Sequence, residues 1–400
     1  MRPGNSFGLL AVVGILLATA GCASSGGPAA ASPTVPFADA LRPTPDPRIG
    51  LSAGILNAGQ AIWNMRLLST VATPEPFVGA NNSDLAFKDS YVIQGNYRGF
   101  QVWDISDPAA PELLSAQICP GAQGDVSVYG NLLFVSTEYL DGRLDCGAEP
   151  SNAAVSPDRL RGIRIFDISD IRNPEYIASV QTCRGSHTHS LLVPPDDPDH
   201  VYVYVSGSAP VRPAEEMPGC SDAPLSVDPN SSLFRIEVIR VPLADPSRAE
   251  IVSSPRIFAD LGAPPLRSPT EAELADIQAR RQREFANGQF VAVIDGAWWR
   301  LAPETATMFL DSIVAARGGS GAPTAADSLA LFEALPELLA ARLAAQGRPA
   351  REGPDQCHDI TIYPAIGLAG GACEGFGLLL DISNPIDPRR IAAAADTNFS

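Results

Sequence analysis

One phrase recurs along this chain, and it restricts the fold more than any other feature. "GFQVWDISDPAAPELLSAQICPG" at 99–121 returns as "GIRIFDISDIRNPEYIASVQTCRG" at 162–185, and "GFGLLLDISNPIDPRRIAAA" at 375–394 repeats the scheme around Asp381, with its glycine displaced by one position. A worn copy, "LFRIEVIRVPLADPSRAEIV", runs from Leu233 to Val252 with Pro242 where the aspartate should be. Within the first phrase Phe100 and Val102 alternate with Gln101 and Trp103, the period of an extended strand. "DISDP" is turn chemistry, since Asp can bond its own backbone two residues on and Pro fixes a turn φ. Asp104, Asp167 and Asp381 are therefore read as turn-capping residues rather than paired catalytic carboxylates.

Upstream of each phrase lies a further pair of strand-like runs, beginning at Ser83, Gly124, His189 and His358. The unit is thus strand, turn, strand, loop, strand, "DISDP" turn, strand. Four-stranded antiparallel units repeated along a chain predict propeller blades, because none buries both of its faces alone. The expected fold is all-β: a β-propeller of four-stranded antiparallel blades, interrupted by a helical insertion. Residues 64–73, "NMRLLSTVAT", match the last strand of a unit that lacks its first three, and four repeats with one loose strand predict an incomplete ring in a truncated chain.

The "DISDP" phrases, together with "GDVSVYGN", "RIFDISDIRNP" and "CRGSHTHS", resemble the LVIVD-repeat proteins, exported bacterial β-propellers. The resemblance covers residues from about 50 to the end apart from the insertion, and it implies a fold and an exported location without implying an activity.

The first residues agree with export. Arg2, an apolar run from Leu9 to Ala18 and the small residues closing on Cys22 form a signal peptide over 1–21, too short for a spanning helix. "TAGC" resembles the bacterial lipobox, so Cys22 is the expected lipidation site and 22–50 a flexible tether to the bilayer. Ala23 and Ser24 carry no acidic inner-membrane retention signal, which favours the outer membrane of a Gram-negative envelope. The predicted domains are then blades over 51–267, a mainly helical insertion over 268–352 and a further blade over 353–400.

Six cysteines remain beyond Cys22, an even number in a chain read as exported. Cys119, Cys183 and Cys357 stand just ahead of a first strand, while Cys146, Cys220 and Cys373 follow the second strand of the same unit. That phase predicts the bridges Cys119–Cys146, Cys183–Cys220 and Cys357–Cys373. A thiolate metal site would need CxxC-like spacing, which is missing.

Candidate chemistry sits at the entrances of the units. His187 and His189 in "SHTHS" are two apart and share a face on a strand, His189 aligns with His358 of "CHD", and converging neutral imidazoles make ligands for a divalent metal. One step along lie Asp84, Asp125 and Asp359, a polar row at the channel mouth, with Ser190 replacing the Asp in the third unit. The competing reading has these groups satisfying buried backbone between blades. His200 in "DDPDH" reads as a surface turn. No nucleophile elbow, phosphate loop or HExxH run is present, and a net charge of -17 leaves no basic surface for nucleic acid.

In the insertion, Ser268 is the expected N-cap of a first helix, with Glu271 completing a capping box and Gly288 beyond its end. "QFVAVIDGAWWRL" reads as a strand pair turning at Asp295 and Gly296, followed by two helices. Trp298 and Trp299 suit either a lid or partner-binding cap above the channel, or the core of a small helical subdomain, with core favoured for at least one of them. The leading functional expectation is a binding or scaffold module for a protein or glycan; the alternative is a metal-dependent enzyme using His187, His189 and His358.

Overall fold

The computed structural model describes residues 43–396, apart from 55–56, 139, 141, 150–152, 154, 226, 234, 263–268, 295–296 and 346–352. Residues 1–21, expected to be a signal peptide, and Cys22, the expected lipidation site, lie outside the described residues. The chain divides into two compact units, Met1–Leu68 and Ser69–Ser400. In the first, the described residues carry turns and irregular backbone without helix or strand. No helix among the described residues is long and apolar enough to cross a membrane.

The second unit is mostly β. Its first sheet comprises β1 (Asn82–Lys88), β2 (Tyr91–Asn96), β3 (Gly99–Asp104) and β4 (Glu112–Ile118). The second comprises β5 (Val126–Tyr129), β6 (Leu132–Thr137), β7 (Gly162–Asp167) and β8 (Glu175–Gln181). The third holds β9 (His189–Leu192), β10 (His200–Val205), β11 (Glu237–Pro242) and β12 (Glu250–Ser253). After the insertion, with its hairpin β13 (Val291–Ile294) and β14 (Ala297–Arg300), come β15 (Asp359–Tyr363), β16 (Leu368–Cys373), β17 (Phe376–Asp381) and β18 (Arg389–Ala395). Each four-stranded sheet is an antiparallel meander in chain order.

The repeat phrase is the third strand and the turn to the fourth. Asp104, Asp167 and Asp381 each end that strand, paired with the first residue of the second strand, Tyr91, Leu132 and Leu368. Pro242 holds the same place opposite His200. Each Asp Oδ1 accepts from the N–H of the serine two residues on, Ser106 at 2.8 Å, Ser169 at 2.7 Å and Ser383 at 2.9 Å. These bonds hold all three carboxyls below the usual carboxylate range. Gly99 and Gly162 open their strands at φ 146° and 144°, where a Cβ would strike the carbonyl oxygens of Gln117 and Val180. Glycine is required there by both conformation and space.

The sheets pack face to face in chain order. Ala86, Ile93, Phe100 and Val102 of the first meet Val126, Leu133, Val135 and Phe166 of the second, with Phe100 and Phe166 edge to face at 5.0 Å. Phe134, Ile163 and Ile165 on the opposite face of the second sheet meet Val201, Val203 and Ile239 of the third. Tyr202, Tyr204 and Val238 then meet Ile360, Leu378 and Leu380 of the fourth. Interior sheets are therefore apolar on both faces, and their first strands lie side by side, β1 by β5, β5 by β9 and β9 by β15.

All three predicted disulfides are present: Cys119–Cys146, Cys183–Cys220 and Cys357–Cys373. Arg164, buried in β7, braces the first of them by donating to the carbonyls of Cys119 (3.0 Å), Pro120 (2.8 Å) and Arg143 (3.0 Å). Burial brings its pKa down to about 10, still far above neutrality.

Two expectations need correcting. Residues 64–73 form no strand, and Met65, Leu67 and Val71 are exposed. A lone strand is stable only where a sheet offers an unfilled edge, and β18 already holds the fourth place in the last sheet. The insertion's first helix, α1 (Glu271–Ala286), is capped by Thr270, whose side chain accepts from Glu273 N–H while Glu273 reaches back to the Thr270 N–H. The box was expected two residues earlier, at Ser268 and Glu271, because both Ser268 and Thr270 have an acidic residue three positions on; Ser268 itself lies outside the described residues. The helices α2 (Pro303–Ala316) and α3 (Ala325–Ala345) follow as expected, and α1 and α3 pack on the hairpin. Trp299 belongs to that small core, while Trp298 lies outside it under the Arg280 guanidinium at 4.1 Å.

Candidate functional site

The starts of the first strands supply the site. Ser83 Oγ donates to the Gly124 carbonyl at 3.3 Å, tying the first sheet to the second. The Asp125 carboxylate accepts the His189 backbone N–H at 2.9 Å and pairs with His189 Nδ1 at 2.9 Å, tying the second to the third. Thr188 and Ser190 hydroxyls donate to the carbonyls of His358 and Ile360, tying the third to the fourth. The two polar rows read from the repeat are thus neighbours in space, and much of their bonding satisfies backbone between sheets.

They also frame an open cavity of about 830 Å³. Its walls carry Asp84, Asp125, Asp359, His189 and His358 from those rows, joined by Asn81, Asn82, Tyr97, Gln123, Ser127 and Thr188. No lining residue belongs to the insertion, so Trp298 and Trp299, read as either a lid or the core of a small subdomain, do not line this space.

The Asp84 and Asp125 carboxyls are shifted in opposite directions. Burial pushes Asp84 up, the Leu85 N–H offsets part of this, and the negative charge of Asp125 adds to it. Burial pushes Asp125 up as well, but the charge and hydrogen bonds of His189 outweigh it and the net shift is downward. Asp84 therefore holds its proton to higher pH than Asp125, with which it shares a hydrogen bond. Ser136 Oγ extends the chain, 2.9 Å from His189 Nδ1 and 2.8 Å from Ser186 Oγ.

The three imidazoles do not gather into one ligand set. His187 and His358 stand edge to face with ring centroids 5.4 Å apart. His187 Nδ1 bonds Glu138 at 2.9 Å, and Glu138 also accepts from Ser208 at 2.6 Å. His189 turns away, its side chain fully buried against Asp125 and Ser136. Although 187 and 189 are two apart, only His189 is in a strand, because β9 begins there; the shared-face rule does not apply to His187. Among the described residues no group of three His, Cys, Asp or Glu is placed to hold a metal ion. His200, read as a surface turn, is the half-buried first residue of β10 and bonds Asp197 of the preceding turn at 2.9 Å.

Glu138, Ser136, Ser208, Asn82 and Tyr97 were not anticipated. The exposed Asn82 at the cavity wall accepts from the buried amides of Asn96 at 2.7 Å and Gln101 at 3.0 Å. Only the polar interruption of otherwise apolar strands, "VST" after β6's apolar run and "Q" in "GFQVW", hints at these groups in the sequence.

No family model matches the chain, and no curated protein matches it. Among solved structures it is similar to the computationally designed Ika4 protein, at 13% identity and a TM-score of 0.23 over 46% of this chain and 77% of that one. The computationally designed Ika8 protein aligns at 11% identity and 0.27, over 80% and 63%. A Lactobacillus plantarum protein aligns at 12% identity and 0.31, over 79% and 71%.

Proposed function

We propose that this chain is an envelope-anchored binding module of the β-propeller type, whose four sheets are blades and whose shared entrance cavity takes a glycan. The anchor is the lipid on Cys22, and the resemblance to LVIVD-repeat proteins supports the export and blade readings. The observation that carries the ligand class is the cavity wall. Carboxylates, amides and hydroxyls from Asp84, Asp359, Asn81, Asn82, Gln123 and Thr188 accept and donate around an aromatic Tyr97. Sugar hydroxyls need closely spaced donors and acceptors, and a ring face for their C–H surface.

The test is an oligosaccharide array followed by titration calorimetry of the best binder. Asp359→Asn and Tyr97→Ala are expected to weaken binding at least tenfold while leaving the melting temperature in place. Absence of any bound oligosaccharide, or undiminished binding in both variants, would sink the reading.

A further inference from the structure

Of the four histidines, His189 is buried against Asp125 and Ser136, and His200 Nδ1 is held by Asp197. His187 and His358 differ: their ring centroids are 5.4 Å apart at the junction of the third and fourth sheets, and both reach solvent. Glu138 selects the tautomer of His187. A carboxylate only accepts, so the proton of the neutral ring sits on Nδ1 and the lone pair on Nε2. A carboxylate behind an imidazole is the arrangement that orients a metal-ligating histidine and raises its basicity. Glu138 is itself fixed, accepting from Ser208 Oγ at 2.6 Å. Gly185, at φ 68°, runs so close to Glu138 that a Cβ there would strike the Glu138 carbonyl oxygen, and this approach sets His187 beside the carboxylate. His358 is held by its backbone: its N–H donates to the Ala372 carbonyl at 2.8 Å, and its carbonyl accepts from the Thr188 hydroxyl. Its ring makes no hydrogen bond or ion pair among the described residues. The bridged Cys183 and Cys357 anchor the two segments that carry the rings.

We propose that His187 Nε2 and one ring nitrogen of His358 hold a divalent first-row transition ion of the zinc class at the rim of the cavity, which His358 lines. A tetrahedral ion about 2.05 Å from two imidazole nitrogens, each about 1.15 Å from its ring centre, sets the centroids about 5.2 Å apart. The observed spacing admits such an ion with little movement. Edge-to-face packing alone reaches similar distances, but it needs neither a carboxylate behind one ring nor solvent access to both. Two imidazoles select zinc, copper or nickel over calcium and magnesium, which take oxygen ligands. With two protein ligands the remaining positions fall to water, so the site is open and not a closed structural one. It does not depend on the identity of the cavity ligand.

The test is calorimetric titration of zinc into the protein purified without a histidine tag. One ion per chain is expected to bind. His187→Ala and His358→Ala should each weaken binding by roughly tenfold or more, and Glu138→Gln, which keeps the shape and removes the charge, by about tenfold. His200→Ala, in a separate turn, should leave it unchanged. His358 is exposed, so His358→Ala keeps the wild-type melting temperature and its effect on zinc is not one of folding. Absence of saturable zinc uptake at millimolar concentration overturns the proposal. Uptake undiminished in either His187→Ala or His358→Ala also overturns it, since the ion is then held elsewhere.

Discussion

Asp125 serves two masters at the residue scale. It faces the cavity and also pairs with Nδ1 of the fully buried His189 side chain while holding its backbone N–H. Removing one partner of a buried pair leaves the other without compensation, so Asp125→Asn is expected to cost about 3 kcal/mol of stability, measured by urea unfolding. The pair His187–Glu138 predicts a pH dependence. The Glu138 hydrogen bond raises the His187 pKa against burial, and its charge adds to this. Burial raises Glu138, but His187 and Ser208 outweigh it and the net shift is downward. The His187 contribution is full below its unfolded pKa of about 6.5 and is lost as pH rises through the folded value; the Glu138 contribution is lost as pH falls through its own lowered value. The melting-temperature gap between wild type and Glu138→Gln should therefore be widest near pH 5–6 and shrink above about pH 7. A gap that grows toward pH 9 would contradict the pairing.

At the scale of elements, the repeated units differ chiefly in their long connections. The loop between β10 and β11 is tied by Cys183–Cys220, 37 residues apart, to the segment ahead of β9, and within it Glu216 bridges Arg159 at 2.5 Å and Arg212 at 2.7 Å in a buried network. A cross-link over that length restricts the unfolded chain by about 4 kcal/mol on an entropy model. Replacing both cysteines with serine should lower stability by about that amount, read from urea midpoints, with the outer sheets retaining their β signal. The phase of the six cysteines was legible because each pair flanks equivalent strands. The Glu216 network was not, since nothing local distinguishes that glutamate from a solvated one.

For the whole molecule, what matters is that sheets with two apolar faces are stacked in a series with two ends. Interior faces are buried by their neighbours, whereas Phe87 at one end and Leu379 at the other are exposed. A hydrophobic dye is expected to bind that exposed apolar area, and Phe87→Glu is expected to lower the binding. Fluorescence titration of the dye on wild type and variant reads the difference directly. The helical insertion keeps its own core around Leu331 and Leu335, which explains how it interrupts the series between the third and fourth sheets without disturbing their packing.

Strand period, the "DISDP" turn and the spacing of cysteines are local properties. They determined the four sheets, the order of strands within each and all three bridges before any coordinate was known. The two polar rows were legible for the same reason, because register copies equivalent residues to equivalent places. Tertiary structure alone decided which imidazoles meet, that His189 is spent on Asp125, that Glu138 holds His187, and that residues 64–73 find no edge to join. Each of these depends on groups distant in sequence coming within hydrogen-bond reach, and alternation along a strand carries no information about what the neighbouring sheet places opposite.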